Sequence, residues 1–270
     1  MVNDAELAVH SIVLEDPPLN FDSQPKVNKQ LVVFDFDWTF ADQDTDRWVH
    51  EVLSPRLRIE FVKRKPTMQF TDMCAYLLQE LHKEGHSRAE VEDALRRMPL
   101  HPAMIRGVRT LQAKSTPNTD FLLLSNSNQV YIDTILEHNH LLDPPLFKEV
   151  ITNPAHFEPS GLLRLRRRIA PDQVQHACKV GCSANMCKGD ELKAFLNRHT
   201  TESYERIIYV GDGGNDYCPV LRLNKNDMAL VRRHRGLAKR ILEEGQVQCN
   251  VRYWSGAWEA EQWLEVLAAC

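Results

Sequence analysis

Two aspartates, Asp35 and Asp37, follow directly on the apolar run Leu31–Phe34. A run of β-branched and aromatic residues bounded by polar chain predicts a strand that is covered on both faces. In open α/β sheets, reactive groups gather at the carboxyl ends of the strands. The pattern therefore predicts a strand that delivers two carboxylates to a site at its own end, and the alternative is an ordinary pair of loop acids.

Two further buried strands are predicted at Phe121–Leu124 and Arg206–Val210, and each ends in polar residues. Ser125 follows the first of them, Asp212 follows the second, and Lys188 stands at the start of a predicted helix. If the three strands are neighbours, their carboxyl ends meet at one edge of the sheet. We therefore expect one constellation of side chains, formed by Asp35, Asp37, Ser125, Lys188 and Asp212.

Clustered carboxylates repel one another, and a hard divalent cation with oxygen ligands resolves the repulsion. Mg²⁺ is the cation that the pattern favours, because it keeps waters and engages phosphate oxygens. Its predicted ligands are Asp35, Asp37 and Asp212, with Asp216 in support directly or through water. The group as a whole suits phosphoryl transfer, in which negative charge develops on oxygens surrounded by metal, lysine and hydroxyl groups.

The predicted roles follow from this chemistry. Asp35 attacks phosphorus and forms an aspartyl-phosphate, which splits one displacement into two. Asp37 protonates the leaving alkoxide and then deprotonates the water that hydrolyses the intermediate. Ser125 and Lys188 hold the phosphoryl oxygens.

Strands that alternate with helices predict an α/β fold with a doubly wound, mostly parallel sheet. A helical stretch over residues 54–114 interrupts the strands and is interpreted as an inserted cap. The predicted core comprises residues 29–53 and 115–270, and residues 1–28 form a partly disordered lead-in.

Further extended segments are predicted in the second half of the chain. Glu149–Thr152 and Leu162–Arg166 are expected to form a pair of extended segments or a hairpin. Asp227–Val231 and Gln246–Arg252 are predicted as additional strands.

Composition bounds the function further. The chain has 270 residues, a formal net charge of -4 and a pI near 6.3, which argues against a broad nucleic-acid-binding surface. The basic patches Arg164–Arg168 and Arg232–Arg235 are interpreted as solvated faces. No apolar run approaches the about 18 residues that span a bilayer. We therefore expect neither a nucleic-acid partner nor a membrane association, and oligomeric state is not predicted.

Cysteine usage bears on the compartment. Seven cysteines are an odd number in a chain whose N-terminus lacks the pattern of a secretory signal. Free thiols in a reducing compartment, the cytoplasm by default, are therefore expected.

The motifs together resemble a known superfamily. Asp35–Thr39, the Ser125 segment, Lys188 and Gly211–Asp216 are similar to the haloacid dehalogenase superfamily of aspartate-nucleophile phosphatases. Further segments resemble its phosphoethanolamine/phosphocholine phosphatase family, which includes pyridoxal phosphate phosphatase-like and plant phosphate-starvation members: Val33–Asp37, Thr45–Asp46, Thr152–Pro154, Asn185–Gly189 and Tyr209–Pro219.

The resemblance implies a Rossmann-like core with a small helical cap, Mg²⁺ dependence and a small phosphomonoester as substrate. It places the nucleophile on Asp35, the acid/base on Asp37 and the metal-binding acid on Asp212. It places the phosphate-binding hydroxyl on Ser125 and the phosphate-binding lysine on Lys188.

Two positions bear on the substrate. Choline-type members of the family resemble one another in carrying an acid at the position of Asp46 and another after the motif-two serine, where this chain has Asn126. One carboxylate and one amide attract a cationic head group less than two carboxylates do. Phosphocholine and phosphoethanolamine therefore stay open beside pyridoxal phosphate, thiamine monophosphate and pyrophosphate.

A soft-ligand cluster precedes the lysine motif. The family has a similar cluster, and four soft ligands, His176, Cys178, Cys182 and Cys187, are candidates for a tetrahedral structural Zn²⁺ site. Free thiols are favoured over zinc, because the compact spacing does not match a standard zinc finger. Two other functions are also considered for the whole chain. One is a phosphotransferase or mutase, and the other is a regulatory module that binds phosphorylated metabolites without turnover.

Overall fold

A six-stranded sheet, parallel in every pairing, runs through the computed structural model, which describes residues 25–270. The predicted lead-in therefore lies outside the described residues except for its last four. The strands of this sheet are β1 (Lys29–Phe34), β2 (Asn118–Asn128), β3 (Glu149–Asn153), β6 (Arg206–Gly211), β7 (Met228–Arg232) and β8 (Asn250–Trp254). Their order across the sheet is β3-β2-β1-β6-β7-β8. The predicted α/β, Rossmann-like fold class is confirmed.

Helices cover both faces of the sheet. Those that connect the first three strands are α1 (Thr45–Leu53), α2 (Pro55–Arg64), α3 (Phe70–Lys83), α4 (Arg88–Arg96), α5 (Pro102–Gln112) and α6 (Gln129–His138). Those of the second half are α7 (Lys188–Arg198), α8 (Tyr217–Val220), α9 (Gly236–Glu244) and α10 (Ala257–Ala269). Among residues 25–270, none of the helices combines the length and the apolar character that crossing a membrane requires.

The central strand β1 is buried on both faces, as its apolar run predicts. Val32 and Phe34 belong to one layer of the core, and Leu31 and Val33 belong to the other. Burial from both sides removes the alternation of apolar and polar residues that a one-sided strand shows. The position of β1 between β2 and β6 therefore brings the ends of the three predicted strands together.

The two extended segments predicted at Glu149–Thr152 and Leu162–Arg166 both contain strands, but these strands do not pair with each other. Glu149–Asn153 does not pair with the segment near residue 163, because it joins the main sheet in parallel with β2. The hairpin forms instead between β4 (Ala155–Phe157) and β5 (Leu163–Leu165). Pro154 separates the two pairings, since it has no N–H to continue a ladder.

The predicted cap over residues 54–114 stays a proposal. Its last helix, α5, contacts α10, where Arg106 donates to Glu261 at 2.7 Å and Gly107 lies against Leu264. A Cβ at position 107 would stand 2.8 Å from Leu264 Cδ1, so a larger residue there would push the two helices apart. Helix α5 thus joins the predicted cap to the rest of the chain.

Candidate active site

A cleft of about 380 Å³ opens at the carboxyl ends of the central strands. Asp35 and Asp212 both line it, since each is the first residue after its strand, β1 or β6. The backbone N–H of Asp35 donates to Val210 O at 2.9 Å, which fixes the residue against the neighbouring strand. The two carboxylates therefore stand side by side, as the strand order requires.

Lys188 is a buried cation between two acids of the site. It is the first residue of α7, its exposed fraction is 1%, and its Nζ donates to Asp35 Oδ1 at 2.6 Å and Asp216 Oδ1 at 2.7 Å. Burial lowers the pKa of a lysine, but the charges of Asp216 and Asp35 outweigh that effect and raise the Lys188 pKa. The ammonium is therefore charged across the physiological range.

Asp216 supports this arrangement from behind. Its Oδ1 accepts from the Tyr209 hydroxyl at 2.7 Å as well as from Lys188, and its Oδ2 accepts from the backbone N–H groups of Asp212 and Gly213. Gly211 leaves room for the carboxylate, because a Cβ at that position would lie 2.8 Å from Asp216 Cγ. Both oxygens of Asp216 are thus engaged by protein donors, which supports a role in positioning Lys188.

The charges around Lys188 do not balance. Asp35, Asp212 and Asp216 offer carboxylate oxygens within 4.8 Å of one another, against one ammonium. Burial, followed by the charge of Asp216, raises the pKa of Asp35 and raises that of Asp212 to about 6. Excess negative charge on hard oxygen ligands fits a divalent cation such as Mg²⁺, held by Asp35 and Asp212.

A second acidic group lies around the start of α1, and we call it the α1 acids: Asp37, Asp44 and Asp46. Their oxygens also lie within 4.8 Å of one another. Asp37 accepts from Thr45 N at 2.9 Å, and Asp44 caps α1 through Arg47 N. Because the structure groups the Asp37 carboxylate with these acids, its predicted place on the metal stays a prediction.

The α1 acids are neutral more readily than ordinary carboxyls. Burial, followed by the charge of Asp44, raises the pKa of Asp37 and raises that of Asp46 to about 8. The Cys74 thiol lies within hydrogen-bonding reach of Asp46 and opposes part of this pKa shift. Asp46 is buried and does not line the cleft, whereas Asp44 does, so Asp44 is the acid of this pair that is accessible from the cleft.

The segment after Leu124 is more regular than predicted. Strand β2 continues to Asn128, with a register shift between Leu124 and Asn128 where it pairs with β3. Ser125 is buried and accepts from Ser127 N at 3.1 Å. Asn126 lines the cleft, but its Oδ1 accepts from Asn215 Nδ2 at 2.8 Å. This bond fixes the Asn126 amide at the edge of the cleft.

Several cleft residues were not identified from the sequence. They come from the start of α3, its preceding loop and the segment before α7: Lys65, Gln69, Thr71, Ser183 and Asn185. Asn185 donates to Thr71 Oγ1 at 3.0 Å and to Asn153 Oδ1 at 2.9 Å, which ties the segment before α7 to α3. The motif Asn185–Gly189 could have identified Asn185 as a residue of the site, whereas the spacing of Lys65 and Gln69 gives no indication that they line the cleft.

The basic segment near residue 235 differs from its interpretation as a solvated face. The Arg235 guanidinium stacks over the Trp38 ring at 4.0 Å, and Arg232 donates to Trp38 O at 2.6 Å. Burial and Asp216 raise the pKa of Asp212, and both arginines, after Lys188, act in the opposite direction. The arginines therefore add positive potential beside the anionic end of the cleft.

The cluster of soft ligands predicted before α7 has a different fourth member in the structure. Cys178, Cys182 and Cys187 do converge, but the fourth residue of the group is Cys218, whereas His176 lies with Cys187 and Asp190. His176 Nε2 contacts Ser183 O at 2.8 Å. Cys218 follows a different strand, so the spacing of the loop cysteines gave no indication of it.

Sequence comparisons relate the chain to known proteins. A family model described as Putative Phosphatase matches residues 30–268. The chain is 32% identical over 240 residues to a thiamine phosphate phosphatase-like protein of Arabidopsis thaliana, covering 87% of this chain and 94% of that protein. It is 32% identical over 246 residues to a pyridoxal phosphate phosphatase of Bos taurus, covering 88% and 98% respectively.

Among solved structures, a HAD family hydrolase from Salmonella enterica serovar Typhi has a TM-score of 0.57 with this chain. The two are 16% identical, and the match covers 84% of this chain and 70% of that one. At this identity the similarity shows a shared fold.

Proposed function

Because the chain belongs to the Putative Phosphatase family, we propose that it hydrolyses a small phosphomonoester through an aspartyl-phosphate on Asp35, with Mg²⁺ as cofactor. The chain is a phosphatase by family, and its fold is shared with a HAD family hydrolase. The single observation that carries the mechanism is the position of Lys188 Nζ, 2.6 Å from Asp35 and 2.7 Å from Asp216 at the edge of the cleft.

The first step is attack on phosphorus. Lys188 holds Asp35 Oδ1, which leaves Oδ2 as the nucleophile. The Oδ2–P bond forms while the bond from phosphorus to the ester oxygen breaks, and Asp37 gives its proton to the departing alkoxide. The raised pKa of Asp37 supports this role, because a neutral carboxyl is the form that donates a proton.

The second step regenerates the enzyme. Asp37, now a carboxylate, takes a proton from water as the water oxygen attacks phosphorus, and the bond between phosphorus and Asp35 breaks. Lys188 and the Ser125 segment hold the phosphoryl oxygens in both steps. Asp35 and Asp212 would hold Mg²⁺, which when bound would supply positive charge at the phosphoryl oxygens.

The proposed substrates are small phosphate esters that carry a ring or a cationic group. A cleft of about 380 Å³ suits a ligand of that size. The aromatic rings of Trp38 and Phe70 and the acid Asp44 in its lining favour thiamine phosphate or pyridoxal phosphate, the substrates in the names of two relatives. Phosphocholine and phosphoethanolamine rank below them, because Asn126 offers an amide that Asn215 already engages.

A non-catalytic binding module is the second candidate. A phosphate-binding pocket needs Lys188 and the metal, but binding alone does not need a proton donor beside them. The presence of Asp37 near the nucleophile, with a raised pKa, favours turnover. For location we propose the cytoplasm, which the seven cysteines support because all are free thiols in this structure.

A substrate panel tests the proposed function. Purified protein with Mg²⁺ is assayed for phosphate release from thiamine phosphate, pyridoxal phosphate, phosphocholine, phosphoethanolamine and pyrophosphate. We expect the highest kcat/KM with one of the first two, complete loss in EDTA, and recovery on adding Mg²⁺. Binding of these esters without phosphate release would favour the non-catalytic module, and transfer to an added alcohol in place of water would favour a phosphotransferase.

A further inference from the structure

Four thiols from two separate parts of the chain meet beside the active site. The Sγ atoms of Cys178, Cys182, Cys187 and Cys218 all lie within 4.8 Å of one another. Cys178 Sγ is 3.6 Å from Cys182 Sγ and 3.5 Å from Cys218 Sγ, and Cys187 Sγ is 3.5 Å from Cys218 Sγ. Three of these residues lie before α7, and Cys218 lies on α8, 31 residues beyond Cys187.

These separations fit metal coordination. A disulfide requires two sulfurs about 2.05 Å apart, and all four residues are free thiols in this structure. A tetrahedral zinc site with Zn–S distances of about 2.3 Å places its sulfurs about 3.8 Å apart. We propose that Cys178, Cys182, Cys187 and Cys218 bind one structural Zn²⁺ as a tetrathiolate.

Hydrogen-bond donors surround the cluster as zinc thiolates require. Val180 N donates to Cys178 Sγ at 3.4 Å, and the Asp190 backbone N–H and the Arg222 side chain lie near the Cys187 and Cys218 thiols. Cys187 is also the N-cap of α7, where the helix dipole favours a negative charge. Donors of this kind offset the charge of a tetrathiolate and orient its ligands.

A glycine at the start of α7 lets α8 pack closely enough for the four thiols to meet. A Cβ at Gly189 would stand 2.7 Å from Cys218 Sγ and 2.5 Å from Arg222 Nε. A glycine at this position thus lets Cys218 approach Cys187 across the helix start. His176 is not needed to complete the four ligands, and its Nε2 contacts Ser183 O.

The proposed zinc would fix two parts of the active site. Cys187 directly precedes Lys188, and Cys218 comes two residues after Asp216. Lys188 and Asp216 form the buried ion pair at the cleft, so one metal would tether both partners. On binding, four thiols release four protons and Zn²⁺ takes four thiolates, which leaves a site of charge 2−.

Metal analysis tests the proposal without reference to the proposed phosphatase activity. The full chain is expressed with added zinc, purified without chelator and analysed by plasma mass spectrometry, and a Co²⁺-substituted sample is examined by visible spectroscopy. We expect about one zinc per chain and the intense absorption of a tetrahedral cobalt tetrathiolate. A purified protein that is folded but lacks zinc, or that carries iron instead, would overturn the proposal.

Matched variants identify the ligands. We expect Cys218→Ser to lose most of its zinc, whereas Cys249→Ser, a buried cysteine outside the cluster, and His176→Ala keep it. If Cys218→Ser does not fold, Cys218→His serves in its place, and it should keep zinc while its cobalt charge-transfer absorption falls. Loss of zinc in His176→Ala together with full zinc in Cys218→Ser would show that the assigned ligand set is wrong.

Discussion

The cleft region contains two groups of three aspartates, and in the described part of the chain only one of the groups has a lysine beside its carboxylates. The first, the lysine-paired acids, consists of Asp35, Asp212 and Asp216, of which two are bonded to Lys188 Nζ. The second consists of the α1 acids, Asp37, Asp44 and Asp46, which within residues 25–270 have no lysine at salt-bridge distance. Burial raises the pKa of carboxyl groups in both groups, but the Lys188 ammonium opposes this effect in the first group, whereas no described lysine opposes it at Asp37 or Asp46.

This difference places nucleophilic attack in the first group, at Asp35, and proton donation in the second group, at Asp37. A nucleophile must be a carboxylate, and a general acid must carry a proton, so one site needs both conditions a few ångströms apart. Lys188 favours the first condition at Asp35, and burial beside Asp44 and Asp46 provides the second at Asp37. Four substitutions test this assignment, from the largest expected effect to the smallest.

Removal of the nucleophile has the largest expected effect. We expect Asp35→Asn to abolish phosphate release, because an amide cannot form the acyl-phosphate. Phosphate release from p-nitrophenyl phosphate and the circular dichroism melting curve are measured together. Asp93→Asn, an exposed acid on α4, is the control that should keep full activity. Turnover that persists in a folded Asp35→Asn would remove the nucleophile from the lysine-paired acids.

Asp37→Asn tests the α1 acids. We expect kcat to fall by about 10²–10⁴-fold, the usual contribution of a general acid–base group. The first step should suffer less with p-nitrophenyl phosphate than with an alkyl phosphate, because p-nitrophenolate leaves without a proton. A burst of p-nitrophenol before a slow steady state, seen by stopped flow, is the expected signature. An equal loss in the rate of the first step with both leaving groups would contradict the role of Asp37 as proton donor.

Lys188→Met tests the charge difference between the groups. We expect kcat/KM to fall by about 10²–10³-fold, as when one oxyanion-stabilising donor is lost. The free energy of unfolding should also fall by about 3–5 kcal/mol, since Asp35 and Asp216 lose their buried partner. Lys193→Met, exposed on the same helix, is the control. A Lys188→Met enzyme with normal activity would mean that the lysine-paired acids do not need their cation.

Asp46→Asn has the smallest expected effect on activity and tests the pKa of about 8. When the pKa of a carboxyl is higher in the folded than in the unfolded protein, the unfolded state ionises first. The free energy of unfolding therefore falls as pH rises from about 4 to 8. The amide of the variant does not titrate, so its melting temperature should exceed that of the parent at pH 8 by more than it does at pH 5. Each kcal/mol of difference in the free energy of unfolding corresponds to about 2–4 °C. An equal difference at both pH values would show that Asp46 titrates normally.

The sequence predicted the lysine-paired acids better than it predicted their surroundings. Asp35, Lys188 and Asp212 were identified because strand ends and helix starts are visible in apolar runs and their polar ends. The hydrogen bond that holds Asn126 was not predicted, because its donor Asn215 lies 89 residues away and the contact depends on how two loops fold.

The same limit explains the other differences. Cys218 could not be joined to the loop cysteines without knowing that α8 packs against α7. The strand predicted at residues 246–252 begins only at Asn250, because Gln246 has φ of 65° and lies in the left-handed region. Local patterns thus predicted the elements and their ends, and tertiary packing decided which side chains met there.

The ion pair between Lys188 and Asp216 requires a residue without a Cβ at position 211, which is glycine in this chain. Alanine there would put its Cβ 2.8 Å from the Asp216 carboxylate, which cannot easily move away because four donors hold it. Lys188 would then be displaced although no reacting group had changed. A position without a side chain is therefore expected to be sensitive to exchange, and a search for inactivating variants confined to polar residues would overlook it.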